Sequence, residues 1–228
     1  VIALAIGEGA VRVFRPQFVA GPDPIRNPFW RHDPGLGWSH PPGVEGLFAR
    51  EEFSHHVRIN SSGWRDRERS PVKPPGHYRI AGLGDSFTWG HGVGDDEIYT
   101  RVMERMLPDA EVLNFGLSGS ATDQQLLILR KHALAYHPDL VVVMVSRNDF
   151  AGNSQTMEGT YPKPRFIMEG DGSLTLTNVP VPDVSRWFRF HSRMRRRSGL
   201  LNLIESTFEG QAQTGPGGTR EAQYSITC

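Results

Sequence analysis

The chain has 228 residues, with Lys+Arg and Asp+Glu both at 25, so its formal net charge is zero. That balance excludes a general electrostatic attraction to nucleic acid, and the length suits one domain with appendages rather than two full ones. Hydrophobic residues make up 38%, with 25 Gly, 17 Pro and a single Cys at position 228, which is a turn-rich globular composition with no internal disulfide and no cysteine-based metal site.

Residues 1–14 open on an apolar run, Val1 to Ile6, preceded by no Met. The run is far shorter than the roughly 20 residues that span a bilayer, and it reads as the end of a membrane anchor or signal segment, with a packed helix as the plain alternative. The expected location is therefore extracytoplasmic, with membrane attachment through this end. Residues 15–76 are rich in Pro, Gly and Trp and predict an ordered but irregular arm, since the prolines forbid helix while Phe29, Trp30 and Trp38 can pack. A short strand is expected over 55–60, ahead of a turn at Ser61-Ser62-Gly63.

From residue 77 strands and helices alternate. The run 78–84 reads as a buried strand ending in glycine. Ile98, Val102, Met106 and Leu107 have helical spacing. A second strand is expected over 111–115, and a helix over 122–137 capped by Thr122 or Asp123 and stopped by Pro138. The β-branched run 139–146 predicts a central parallel strand. This alternation implies βαβ units and an α/β fold with a parallel sheet. Farther on, residues 164–178 predict a hairpin turning at Gly170-Asp171-Gly172, and 183–208 a helix or helix pair broken near Ser198-Gly199. Its Arg193–Arg197 run reads as a solvated face. Residues 209–228 have no periodicity and read as a disordered tail.

Parallel sheets place ligands at the carboxyl ends of their strands. Each expected strand ends in a polar, glycine-rich cluster: Gly84-Asp85-Ser86-Phe87-Thr88, then Asn114 through Ser120, then Ser146-Arg147-Asn148-Asp149. A serine on such a turn can attack an acyl carbon. Its own N–H, a glycine N–H and an asparagine amide can hold the oxyanion that forms. The plain alternatives are that Ser86 only caps a helix and that the glycine only turns the chain. There is no His-Glu-x-x-His, no Gly-x-Gly-x-x-Gly and no Walker loop, and His55-His56 lacks the spacing of a helical metal pair. No metal and no cofactor are expected.

The segments GDSFT, NFGLSG and SRND resemble the first three blocks of the SGNH/GDSL hydrolases. The resemblance covers about residues 78–150 and implies a flavodoxin-like three-layer α/β/α sandwich. By it, Ser86 is the nucleophile and an oxyanion-hole donor, Gly119 the second donor (Gly116 the alternative) and Asn148 the third, with Asp85 and Asp149 in supporting roles. Ser146 stands where the third block reads glycine. The stretches INSSGWRDRE and Pro164-Arg165-Phe166 also look like membrane-anchored bacterial members. The fourth element of the family, Asp-x-x-His, is missing: none of the nine histidines has Asp three residues before it. His91 sits on the same turn as Ser86, and His191 in the expected late helix. The general base and the last strand of the sheet are therefore expected to lie beyond this chain. The resemblance implies ester hydrolysis, with O-acyl groups of envelope glycans or small-molecule esters as substrates. An O-acyltransferase and a non-catalytic glycan-binding module of the same fold are the rivals, and the oligomeric state is left open.

Overall fold

The computed structural model describes residues 7–10, 13–14, 28–50, 52–159, 161–183 and 198. Residues 28–183 form one compact unit, and residues 1–27 group with 184–227 in a second. In that second unit, the Ser198 hydroxyl donates to Glu8 Oε2 at 2.9 Å. The apolar run Val1–Ile6, His191, the late helix and the tail lie outside the described residues.

Three parallel strands form the heart of the larger unit: β5 (Tyr78–Gly84), β6 (Ala110–Gly116) and β7 (Leu140–Val143), in the order β6-β5-β7. Registers are Gly84 against Gly116 and Leu83 against Val143, so all three carboxyl ends lie side by side. Strand residues alternate between faces, and the two faces here carry different helices. Ala81, Leu83, Leu113 and Phe115 share a core with Leu127 and Ile128 of helix α3 (Thr122–Lys131). Gly82 and Gly116 turn the other way, toward α1 (Ser86–Trp89) and α2 (Tyr99–Met106). A Cβ on Gly82 would meet Thr100 Cγ2 at 2.9 Å, and one on Gly116 would meet Trp89 N at 2.3 Å. The sheet is thus layered between helices on both faces, the expected α/β/α arrangement.

Some expectations are corrected. Among the described residues the apolar run 139–146 is not the central strand. β5 is central, and β7 pairs only with β5 among the described residues, leaving Leu140, Val143 and Val145 exposed. A β-branched run signals burial but not position, and the crossover through α3 carries the chain back past β5 to its far side. The helix expected over 122–137 ends at Lys131, and a 3-10 turn follows at Ala133–Tyr136. Its N-cap is Ala121 rather than Thr122 or Asp123, with the Gln124 side chain accepting from the Ala121 N–H at 3.2 Å.

The arm expected to be irregular is built of hairpins from residue 31 onward. β1 (Arg31–Asp33) pairs with β2 (Gly37–Ser39), and β3 (Glu45–Ala49) pairs with β4 (Ser54–Arg58). The short strand expected over 55–60 is β4; no strict alternation advertises the other three, because their buried residues are aromatic anchors set next to turns. Phe29, Phe48, Val57, Ile59 and Trp89 form one buried cluster, and Leu36, Trp38 and Trp64 enter the main core. Each such side chain contributes about 1.5–3 kcal/mol on burial, so the segment is held by packing and not tethered loosely. The hairpin expected at 164–178 is present as β10 (Arg165–Met168) and β11 (Leu174–Thr177). Before it, β8 (Met157–Glu158) and β9 (Tyr161–Pro162) make a smaller one.

Candidate active site

Ser86 is the first residue of α1, directly after the central strand. Asp85 caps that single turn: its buried carboxylate accepts from the Phe87 N–H at 3.0 Å. The turn is braced from below by Asn114 of β6, whose amide donates to Thr88 O at 2.8 Å while its oxygen accepts from the Gly116 N–H at 2.8 Å. Arg65 of the Gly-Trp-Arg-Asp segment locks the chain beyond α1. Its guanidinium lies 4.6 Å from the Trp89 ring centroid and donates to Gly90 O and Val93 O. Ser86 itself stays half-buried.

The second loop leaves β6 and turns at Gly119, whose φ is +77°. That left-handed conformation suits glycine and strains other residues. Trp38 fixes the loop, its indole N–H donating to Ser118 O at 3.0 Å. The two glycines weighed for this loop separate cleanly. Gly116 is a packing residue under the Trp89 backbone, whereas Gly119 stands at the half-exposed turn with only Trp38 and Glu158 side chains near it, each 3.6 Å from the position of a Cβ. Among the described residues neither the Ser86 N–H nor the Gly119 N–H makes a hydrogen bond within the protein.

The third loop follows β7 into α4 (Arg147–Gly152), with Ser146 as N-cap. The Ser146 N–H donates to Asp149 Oδ2 at 2.7 Å, and the Asp149 N–H donates back to Ser146 O at 3.1 Å. Ser146 has φ −103°, an extended backbone that any residue adopts, so a serine in the glycine position leaves this loop unstrained. Asn148 is exposed and its amide donates to Asp85 Oδ2 at 3.3 Å. That bond ties the third loop to the residue beside Ser86. An amide carries two N–H donors, so one remains after this bond.

Asp149 is buried. Burial pushes its carboxyl up, the Ser146 N–H works against that, and the Asp85 charge adds to it. Gln125 of α3 donates to Asp149 Oδ1 at 3.3 Å. Beneath α4, the buried Lys163 ammonium pairs with Asp123 and donates to Gly152 O at 3.0 Å. Asp123, Gln125, Glu158 and Lys163 escape a reading by motif. They come from helix and hairpin positions up to 40 residues apart, and only buried charge in a turn-rich stretch could have hinted at Lys163.

Five of the eight described histidines are engaged with other groups. His40 is buried, its Nδ1 at 2.7 Å from Phe29 O, and its ring clusters with those of Trp30 and Trp89. His91 shares the turn through its N–H, which donates to Ser86 O, but its ring packs edge-on against Phe48 and Phe53. His132 packs on Trp64, His55 stacks on Phe53, and His32 Nε2 lies 2.9 Å from Val181 O. His56 is exposed on β4. His77 and His137 precede β5 and β7 and so lie at the opposite end of the sheet. Among the described residues no group of three His, Cys, Asp or Glu could hold a metal ion, and no helix is long and apolar enough to cross a membrane.

A three-stranded parallel sheet between helices, with Gly-Asp-Ser after its central strand and an Asn-Asp pair after the next strand over, defines a hydrolase-type α/β protein. The chain belongs to the GDSL-like lipase/acylhydrolase family, whose profile matches residues 83–199, just over half of the sequence. No curated protein matches it. Membership makes ester hydrolysis the general class of activity.

Proposed function

We propose that Ser86 is the nucleophile of a serine ester hydrolase, and that the Ser86 N–H, the Gly119 N–H and the Asn148 amide bind the oxyanion. The observation that carries this reading is the pairing of two unbonded N–H groups, on Ser86 and Gly119, with an Asn148 amide tied to Asp85. The strand order reverses between β5 and β7, and such switch points open the crevice where ligands bind in parallel sheets. In acylation, Ser86 Oγ bonds to the ester carbon and its proton passes to a base. The carbonyl electrons move onto oxygen and are held by the three donors. On collapse the C–O bond to the alcohol breaks and the alkoxide takes the proton. Water then repeats the sequence on the acyl-serine. An acyltransferase would differ only in using a sugar hydroxyl in place of water.

None of the eight described histidines is the base in this reading, which assigns that role to a group outside the described residues. Removing a member of a serine triad leaves about 10³–10⁴-fold acceleration over water. The expected activity of the 228-residue chain toward p-nitrophenyl acetate is therefore slight, and lost in Ser86→Ala. Ordinary enzyme rates abolished by His191→Ala would make His191 the base; slight rates unchanged by it leave His191 out of the reaction. Turnover unaffected by Ser86→Ala would refute the nucleophile. The finer substrate reading, O-acyl groups of envelope glycans outside the cytoplasm, rests on the resemblance alone, and membrane tethering on the apolar run Val1–Ile6. Product analysis with and without an acceptor glycan separates hydrolysis from transfer, and binding of glycan undiminished by Ser86→Ala, with no turnover, would favour a binding module.

A further inference from the structure

The β8–β9 hairpin is seated on the second loop by contacts that leave little freedom. Gly37 of β2 has φ +91°, and a Cβ there would lie 2.4 Å from Pro162 O, so the glycine is what admits the β9 backbone. The next residue, Lys163, is buried among Asp123 and three backbone carbonyls, and its N–H donates to Thr156 O at 2.9 Å. Trp38 meets the Tyr161 ring at 6.0 Å while its indole holds Ser118 O. These fixings set Glu158, opposite Tyr161 in the hairpin register, against Gly119. Glu158 Cγ lies 3.6 Å from where a Gly119 Cβ would stand.

Glu158 is half-buried, and among the described residues its carboxyl has no hydrogen-bond partner. Burial pushes that carboxyl up, and the Lys163 charge opposes the shift. Both its oxygens still reach solvent, so a hydroxyl of a ligand can take the place of the water they accept from. Resting on the oxyanion reading of Gly119, we propose that Glu158 is a specificity-determining residue of this site. It accepts a hydrogen bond from a hydroxyl of the bound ester and disfavours esters that carry an anionic group there. A carboxylate on a side chain packed against the Gly119 turn also separates neutral from anionic substrates by repulsion, the kind of unfavourable contact from which selectivity is built.

Three fluorophosphonates test this, alike except that the alkoxy chain ends in a methyl, a hydroxyl or a carboxylate. Rates of protein phosphonylation are compared at about pH 8, where an ordinary carboxyl is ionised, for the unmodified chain and for Glu158→Gln, Glu158→Ala and Ser86→Ala. The unmodified chain is expected to prefer the hydroxyl over the carboxylate probe by about tenfold, and Glu158→Gln by no more than about twofold. Matching thermal melts show that the fold is kept, and the hydroxyl-to-carboxylate ratio is read within each variant, so that a change in oxyanion binding common to all three probes cancels; Glu158→Ala serves as the second variant. A hydroxyl-to-carboxylate ratio left unchanged by both Glu158 variants, with methyl-probe labelling still faster than in Ser86→Ala, overturns the assignment alone. Methyl-probe labelling no faster than in Ser86→Ala overturns the serine reading and this assignment with it.

Discussion

Asp85 and Asp149 both bind backbone: one caps the turn that carries Ser86, the other accepts from the Ser146 N–H in the capping box of the helix that carries Asn148. Asn148 differs, because it is exposed and its one side-chain bond among the described residues, to Asp85, is long at 3.3 Å. Losing such a bond costs about 1 kcal/mol, whereas losing an oxyanion donor costs about 10²–10³-fold in rate. Asn148→Ala is therefore expected to slow phosphonylation of Ser86 by about 10²-fold, with a thermal midpoint near that of the unmodified chain. Equal rates would remove Asn148 from the site. These residues were legible in the sequence because each follows an apolar strand directly. Glu158 was not, since nothing local distinguishes it from a solvated hairpin glutamate, and only the folding of the hairpin onto Gly119 gives it a setting.

At the scale of elements, two glycines three residues apart have opposite jobs. A Cβ on Gly116 would stand 2.3 Å from Trp89 N and 2.5 Å from Thr88 C. Both are backbone atoms that can yield only if α1 lifts off β6. Overpacking of this kind costs about 1–3 kcal/mol or more, so Gly116→Ala is expected to lower the unfolding free energy by about 3 kcal/mol in denaturant titration. Gly119→Ala meets only van der Waals neighbours and carries the left-handed penalty of about 1–2 kcal/mol. It should melt closer to the unmodified chain yet lose Ser86 reactivity, because the strained turn no longer aims its N–H. The reverse ranking would contradict these assignments. Strand and helix positions in 78–150 were readable from apolar runs closed by glycine or proline. Of the hairpins of 31–58 only β4 was readable, as the short strand expected over 55–60; the others were not, since Phe29, Trp38 and Phe48 are buried by contacts with Trp89 and the second loop, which no local pattern encodes.

For the unit formed by residues 28–183, His40 links the aromatic cluster to acid stability. Burial, first of all, holds its imidazole down to about 4 from an ordinary 6.5, the bond to Phe29 O opposing the shift and the Arg65 charge adding to it. Its folded value lies below its unfolded one, so between about pH 6.5 and 4 the unfolded chain binds the extra proton. Stability is full above pH 6.5 and falls as the pH drops through that window, by about 3 kcal/mol for His40 alone. His91 and His132, also lowered by burial, act in the same direction, while burial raises Asp66 and Asp149, which act against it. The difference between the unmodified chain and His40→Asn isolates the His40 share, since asparagine can still donate to Phe29 O. Urea titrations across pH 4–7 should show a shallower slope in the variant, and parallel slopes would contradict the assignment.

What joins these scales is one hydroxyl. The most direct measurement is the intact mass of the protein after prolonged incubation with the methyl-terminated fluorophosphonate, followed by peptide mapping. A single adduct on Ser86, absent from Ser86→Ala and slowed in Asn148→Ala and Gly119→Ala, is the expected result. A folded protein that takes no adduct, or takes it on another residue at the same rate when Ser86 is alanine, would contradict the assignment of Ser86 as the nucleophile.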